Sequence, residues 1–116
     1  MKKNEPAACP MPRKDQPDVL PLEGEIDLHV SPNIAASLQM MIEKKPPKLI
    51  VDLARVTYID SSGLAALIEA MQNVQEYGGK FALTSLQEPV RTIFEIARLD
   101  QVFGIFPDVN AARAAA

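Results

Sequence analysis

Lys48-Leu49-Ile50-Val51-Asp52-Leu53, followed at a short distance by Tyr58-Ile59-Asp60-Ser61-Ser62-Gly63, carries the strongest structural signal in the chain. Its first part is a nearly unbroken apolar run, the pattern of an interior strand covered on both faces, which implies helices packed against a sheet. Its last part is small and polar and stands just ahead of Leu64, Leu67, Ile68, Met71 and Val74, which fall one above another at helical spacing. A strand feeding an amphipathic helix is expected, with Gly78-Gly79 closing that helix.

Toward the N-terminus, Val19-Leu20-Pro21-Leu22-Glu23-Gly24-Glu25-Ile26 reads as a strand. Pro21 lacks an N–H and points to a sheet edge or a locally unpaired rung. Ser31-Pro32 has the form of a helix start, the serine oxygen capping free N–H groups and the proline filling the first helical position. That helix is expected to reach about Lys45, with Ile34, Leu38, Met41 and Ile42 inward and Pro46-Pro47 stopping it. Toward the C-terminus, Phe81-Ala82-Leu83-Thr84 reads as the next buried strand. Pro89 opens a helix with Val90, Ile93, Phe94 and Ala97 inward, Val102 to Phe106 forms a last short strand, and Asp108 caps a tail helix from Val109 to Ala115. Strands and helices alternate roughly every 25 to 35 residues, which is the α/β layer pattern. The expected architecture is one domain with a mixed, mostly parallel sheet of about four or five strands and about four helices. The head, residues 1–18, carries Pro6, Pro10, Pro12 and Pro17 and is expected to be irregular or a short edge strand, leaving residues 19–116 as the domain proper.

With 116 residues, 47% apolar and 23% charged, the chain has room for one core and is too apolar to be mostly disordered. A net charge of -3 leaves no broad basic footprint for direct nucleic-acid binding. The lone Cys9 excludes an intramolecular disulfide, and the lone His29 excludes a paired-histidine metal site, so no metal or cofactor is expected. No apolar run approaches the roughly 18 residues that spanning a bilayer requires. A cytoplasmic protein without membrane insertion is the expectation.

In layered α/β folds, ligands and partners meet the loops after the carboxyl ends of strands. Two such loops carry polar chemistry: Gly24-Glu25-Ile26-Asp27-Leu28-His29 and Ile59-Asp60-Ser61-Ser62-Gly63-Leu64. Each leads into a helix N-terminus, where free N–H groups and the positive dipole end favour an anion, including a phosphate carried by a side chain. Read locally, Asp60 or Ser61 is a plain helix cap, Asp27 a turn residue and His29 an exposed loop histidine.

The ordered set Gly24-Glu25-Ile26-Asp27, Leu49-Ile50-Val51-Asp52-Leu53, Val56-Thr57-Tyr58-Ile59-Asp60-Ser61-Ser62-Gly63-Leu64, Gly78-Gly79-Lys80 and Val90-Arg91-Thr92-Ile93-Phe94-Glu95 resembles the STAS domain family, in its anti-sigma factor antagonist branch. The resemblance runs from about Val19 to Val109, and Asp-Ser-Ser-Gly-Leu is its specific part. It implies a non-enzymatic regulator that works by partner switching. Ser61 would be phosphorylated by an anti-sigma factor serine kinase and restored by a PP2C-type phosphatase, with Asp27 beside it. The surface that binds the partner would comprise Asp27, His29, Asp60, Ser61, Ser62, Gly63 and Leu64. The family also implies a first strand antiparallel to the next, and the proline-rich head lacks the alternation such a strand needs.

Three other functions compete. A receiver domain phosphorylated on Asp52 would need a Mg2+-binding acidic cluster, whereas Glu23, Glu25 and Asp27 alternate along a strand instead of gathering at its end. A serine hydrolase built from Ser61, His29 and Asp27 would lack the Gly-x-Ser-x-Gly elbow and an oxyanion loop. The remaining alternative is a STAS domain that serves as a fixed interaction subunit of a signalling scaffold or a lipid-transport ATPase, with Ser61 only a cap. The oligomeric state is not fixed by any of these readings.

Overall fold

The structure is a computed structural model and describes residues 10–115; Pro6 and Cys9 lie outside the described residues. The elements are β1 (Val19–Ile26), α1 (Ser31–Glu43), β2 (Lys48–Ile59), α2 (Ser61–Glu76), β3 (Lys80–Thr84), α3 (Glu88–Ile96), a 3-10 turn at Leu99–Gln101, β4 (Gly104–Phe106) and α4 (Val109–Ala114). The four strands form one sheet in the order β1-β2-β3-β4, and every neighbouring pair is parallel. The α/β class, the strand number and the four helices match expectation, and the sheet is wholly parallel among the described residues.

The apolar run of β2 has a helix for each face. Leu49, Val51 and Leu53 join Phe81 and Leu83 of β3 in one cluster with Ile34, Leu38, Met41 and Ile42 of α1, Leu67, Met71 and Val74 of α2, and Val90 and Phe94 of α3. Ile50 alternates to the other side and, with Val19 and Ala82, meets Ala112 of α4. Each fully buried Leu or Ile stabilises the fold by about 1.5–3 kcal/mol. Phe103 links the end of α3 to the sheet, its ring 5.7 Å from Phe94 and 6.0 Å from Phe81.

β1 is the outer strand, as Pro21 implied. Its pairing with β2 slips between Pro21 and Glu23 and again between Gly24 and Glu25, where Gly24 takes φ 78. Bulges and exposed glutamates at a sheet edge discourage pairing with another chain. β2 continues to Ile59, past the expected end at Leu53. Beyond Asp52 it pairs with β1 alone, so Arg55, Thr57 and Tyr58 stay in water, and that polar text concealed the strand.

Several boundaries differ from expectation. The α1 N-cap is Val30, not Ser31, and no side chain caps it; Ser31 is turned inward and buried. α1 ends at Glu43, ahead of Lys45, which takes φ 50. Ala97 is the exposed C-cap of α3, and the last strand begins at Gly104 because the 3-10 turn consumes the preceding residues. α4 starts as expected, with the Asp108 carboxylate accepting the Ala111 N–H at 2.8 Å.

Residues 10–18 contain no strand. They form a loop in which the Arg13 N–H donates to the Val19 carbonyl at 3.0 Å and the Val19 N–H to the Gln16 carbonyl at 3.0 Å. The Arg13 guanidinium pairs with the buried Asp52 carboxylate, and the Ser37 hydroxyl donates to the Pro10 carbonyl at 2.7 Å. Arg113 of α4 grips Asp18 through both guanidinium nitrogens, at 2.8 and 3.0 Å. These contacts hold the loop against both the helices and the sheet.

Candidate protein-docking site

The carboxyl ends of β1 and β2 are neighbours, with Ile26 opposite Ile59. A single residue, Asp60, separates β2 from α2, and its backbone N–H donates to the Ile26 carbonyl at 3.0 Å. The junction therefore places the start of α2 directly on the end of β1. Gly63 makes the approach possible. A Cβ there would stand 2.6 Å from the Ile26 Cγ2 and 2.7 Å from the Ile59 Cγ1, closer than carbon atoms tolerate. Gly63 is itself buried, so its part in the site is to let the helix close down.

Asp60 is the cap of α2. Its Oδ1 accepts the Ser62 N–H at 2.9 Å, the Gly63 N–H at 3.1 Å and the Ser62 hydroxyl at 2.6 Å. The Ser62 hydroxyl, together with backbone N–H groups that include that of Leu28, holds the Asp60 carboxyl below its ordinary range despite the opposing effect of burial. Asp60 thus joins the two segments, its N–H bonded to the end of β1 and its carboxylate to the start of α2. Because Asp60 caps the helix and Ser62 is spent on Asp60, Ser61 is left over. Its side chain is exposed, and its hydroxyl makes no hydrogen bond to any described residue.

Asp27 organises the other loop. Its Oδ1 accepts the His29 N–H at 2.9 Å, and its carbonyl accepts the N–H groups of Val30 and Ser31 at 3.1 and 2.9 Å. Residues 27 to 31 are thereby closed into a tight turn, without any capping by Ser31. Leu28 and His29 are exposed, and Leu64 is half-buried at the rim. No hydrogen bond links the His29 ring to Ser61 or Asp27 among the described residues, so a proton relay is not assembled. A cavity of about 710 Å3 exists beside β1, but its lining, which includes Arg13, Pro21, Asp52 and Arg55, takes only Val30 from this turn and none of Asp27, His29, Asp60 and Ser61. The surface around Ser61 is a polar rim that also carries the exposed Leu28 and the half-buried Leu64, a mixture suited to meeting a protein.

A family model described as STAS domain matches residues 9–112. The chain belongs to the STAS domain family. Among its relatives is BtrV of Bordetella bronchiseptica, a protein named for the anti-sigma factor antagonists, with 30% identity over 82% of this chain and 79% of its own length. The anti-sigma-B factor antagonist of Bacillus subtilis is 30% identical over 72% of this chain and 76% of its own. Among solved structures, the anti-sigma factor antagonist SpoIIAA in its unphosphorylated form superposes with a TM-score of 0.72 at 24% identity, covering 82% of this chain and 83% of that one. SpoIIAA from Bacillus in its phosphorylated form gives 0.64 at 23% identity, covering 82% of this chain and 86% of that one. At such identity these structures establish the shared fold. This STAS domain thus stands among anti-sigma factor antagonists, which are regulatory binding proteins, and none of its described helices is long and apolar enough to cross a membrane.

Of the residues singled out in the sequence, Asp27, His29, Asp60, Ser61, Ser62 and Leu64 do converge on one end of the sheet, with Gly63 beneath them. Leu28 was not among them. The signal that could have found it is a large apolar residue between two polar ones in a tight turn, a position with no interior to face.

Proposed function

We propose that this chain is a cytoplasmic anti-sigma factor antagonist whose docking surface is switched by phosphorylation of Ser61. Unphosphorylated, the Asp27–His29 turn and the start of α2 dock on an anti-sigma factor serine kinase and release what that kinase holds. A PP2C-type phosphatase resets the switch. The observation that carries this is the exposed hydroxyl of Ser61, the one serine of the pair at the start of α2 that the fold does not use. That SpoIIAA is known in unphosphorylated and phosphorylated forms supports the same reading for a chain of the same fold.

Phosphorylation adds about -1.5 to -2 charge. The N–H groups of Ser62 and Gly63 already serve Asp60, so the phosphate gains little from the helix end and projects into water. The fold survives. At a docked interface the same charge must shed water beside the carboxylates of Asp60 and Asp27, which repel it, and association weakens.

Incubation with ATP and the anti-sigma factor kinase of the same genome should add one phosphate. That phosphate should be absent in Ser61→Ala and present in Ser62→Ala. Ser61→Asp should bind the kinase at least thirtyfold more weakly than wild type, a loss of about 2 kcal/mol, while Ser61→Ala binds nearly as well. Equal affinity of Ser61→Asp and wild type would reduce Ser61 to a surface residue and make the chain a fixed interaction subunit. Phosphate mapped to Ser62 would move the switch to the wrong hydroxyl for this scheme.

A further inference from the structure

Leu28 is 74% exposed, in a turn whose backbone is closely tied down. Directly after Leu28, the His29 N–H is held by Asp27 Oδ1 and the two N–H groups that follow by the Asp27 carbonyl. The side chain belongs to neither apolar cluster of the fold. A leucine in this state contributes nothing to the core, yet it is presented on a pre-ordered backbone beside the helix start that carries Ser61. The two segments that converge here carry formal charge of one sign. Glu25, Asp27 and Asp60 lie in the two converging segments, and neither the stretch from residue 23 to 30 nor that from 59 to 64 contains a lysine or an arginine.

We propose that Leu28 is the apolar anchor of the docking surface and determines which anti-sigma factor this chain engages. The matching partner surface is an apolar pocket rimmed by lysine or arginine. The leucine would lose its exposed area to that pocket, and the rim would meet the carboxylates of Asp27 and Asp60. A pre-ordered turn enters such a pocket with little further loss of conformational freedom. This inference rests on the docking surface proposed above and deepens it. Ser61 supplies the switch, and Leu28 supplies affinity and selectivity. A phosphate on Ser61 acts on the same rim, so the two residues should not behave independently.

The test titrates wild type, Leu28→Ala, Leu28→Met and Ser61→Asp calorimetrically against the purified anti-sigma factor kinase of the same genome. Leu28→Ala should bind about tenfold or more weakly, and Leu28→Met within about threefold of wild type, as expected for an anchor that acts through apolar burial. Melting temperatures of both should stay within about 2 °C of wild type, because the exposed side chain supports no packing. Binding of Leu28→Ala within twofold of wild type would overturn the anchor. So would a Leu28→Met as weak as Leu28→Ala. In either case the loss in Ser61→Asp, read in the same experiment, would leave the docking surface standing. A kinase that does not distinguish Ser61→Asp from wild type would overturn both.

Discussion

Ser31 and Ser61 each open a helix that follows a parallel strand, and the two helices lie side by side, yet the serines have opposite fates. Ser31 is only 7% exposed, while Ser61 stands in water. The difference lies in the junctions. Between Ile26 and Ser31 a turn intervenes, closed by the Asp27 carbonyl, and it rolls the start of α1 so that its first residue faces inward. Between Ile59 and Ser61 there is only Asp60, which caps α2 itself and leaves the next side chain at the rim. A hydroxyl becomes available for chemistry where another residue has already taken over the helix end.

The largest effect on this contrast is expected from charge. Ser31→Asp would place a carboxylate in a buried position, a change that costs about 3 kcal/mol or more and lowers the melting temperature by about 10 °C or more. Ser61→Asp should shift it by no more than a few degrees. Thermal unfolding of the two variants side by side decides the matter, and equal melting temperatures would mean that the two helix starts are not different environments.

A smaller effect is expected in acid. The Asp60 carboxyl is held below its ordinary value of 3.8, first by the Ser62 hydroxyl, so its folded-state pKa lies below its unfolded one. Such a group contributes stability that is complete above the unfolded value and is lost as pH falls through the folded one. Asp18 behaves in the same way, through its hydrogen bonds from Arg113. Asp60→Asn keeps an oxygen that can cap but removes the titration, so its melting temperature should fall less steeply than wild type between about pH 4 and 2. Parallel curves for the two proteins would show that Asp60 gains nothing from the contacts at the start of α2.

Much of this was legible beforehand because the relevant signals are local. The run Leu49 to Leu53 needed two covered faces, and α1 to α3 on one side and α4 on the other supply them. β1 began and ended where its composition changes, and Asp108 capped α4 as its place before an alanine-rich stretch implied. Non-local pairing was not legible. Nothing near Asp52 marks it as the partner of Arg13, and the far half of β2 reads as loop because only β1 accompanies it. Ser31 misled because a serine before a proline has the same local text whether it caps a helix or is turned beneath it. At the site, the residues that converge were readable, and the division of labour among them was not. Which of Asp60, Ser61 and Ser62 caps the helix depends on distances that only the junction's geometry fixes.

The finest test of the comparison is Asp27, whose main chain builds the inward-turning junction and whose loop adjoins the outward one. Its Oδ1 accepts the His29 N–H, a bond that an asparagine oxygen can also accept, so Asp27→Asn should leave stability within about 0.5 kcal/mol of wild type. The charge is what changes. In the docked complex a carboxylate in the adjoining loop can orient a cationic group of the kinase, and an amide does so less well. Phosphorylation of Asp27→Asn by the kinase should therefore be slower by about tenfold, with unfolding unchanged. Slower transfer at equal stability would assign Asp27 a part in both junctions: its carbonyl shapes α1, and its carboxylate serves α2. An unchanged rate would confine it to the turn it closes, and the end of the sheet would then hold one functional junction and one structural one.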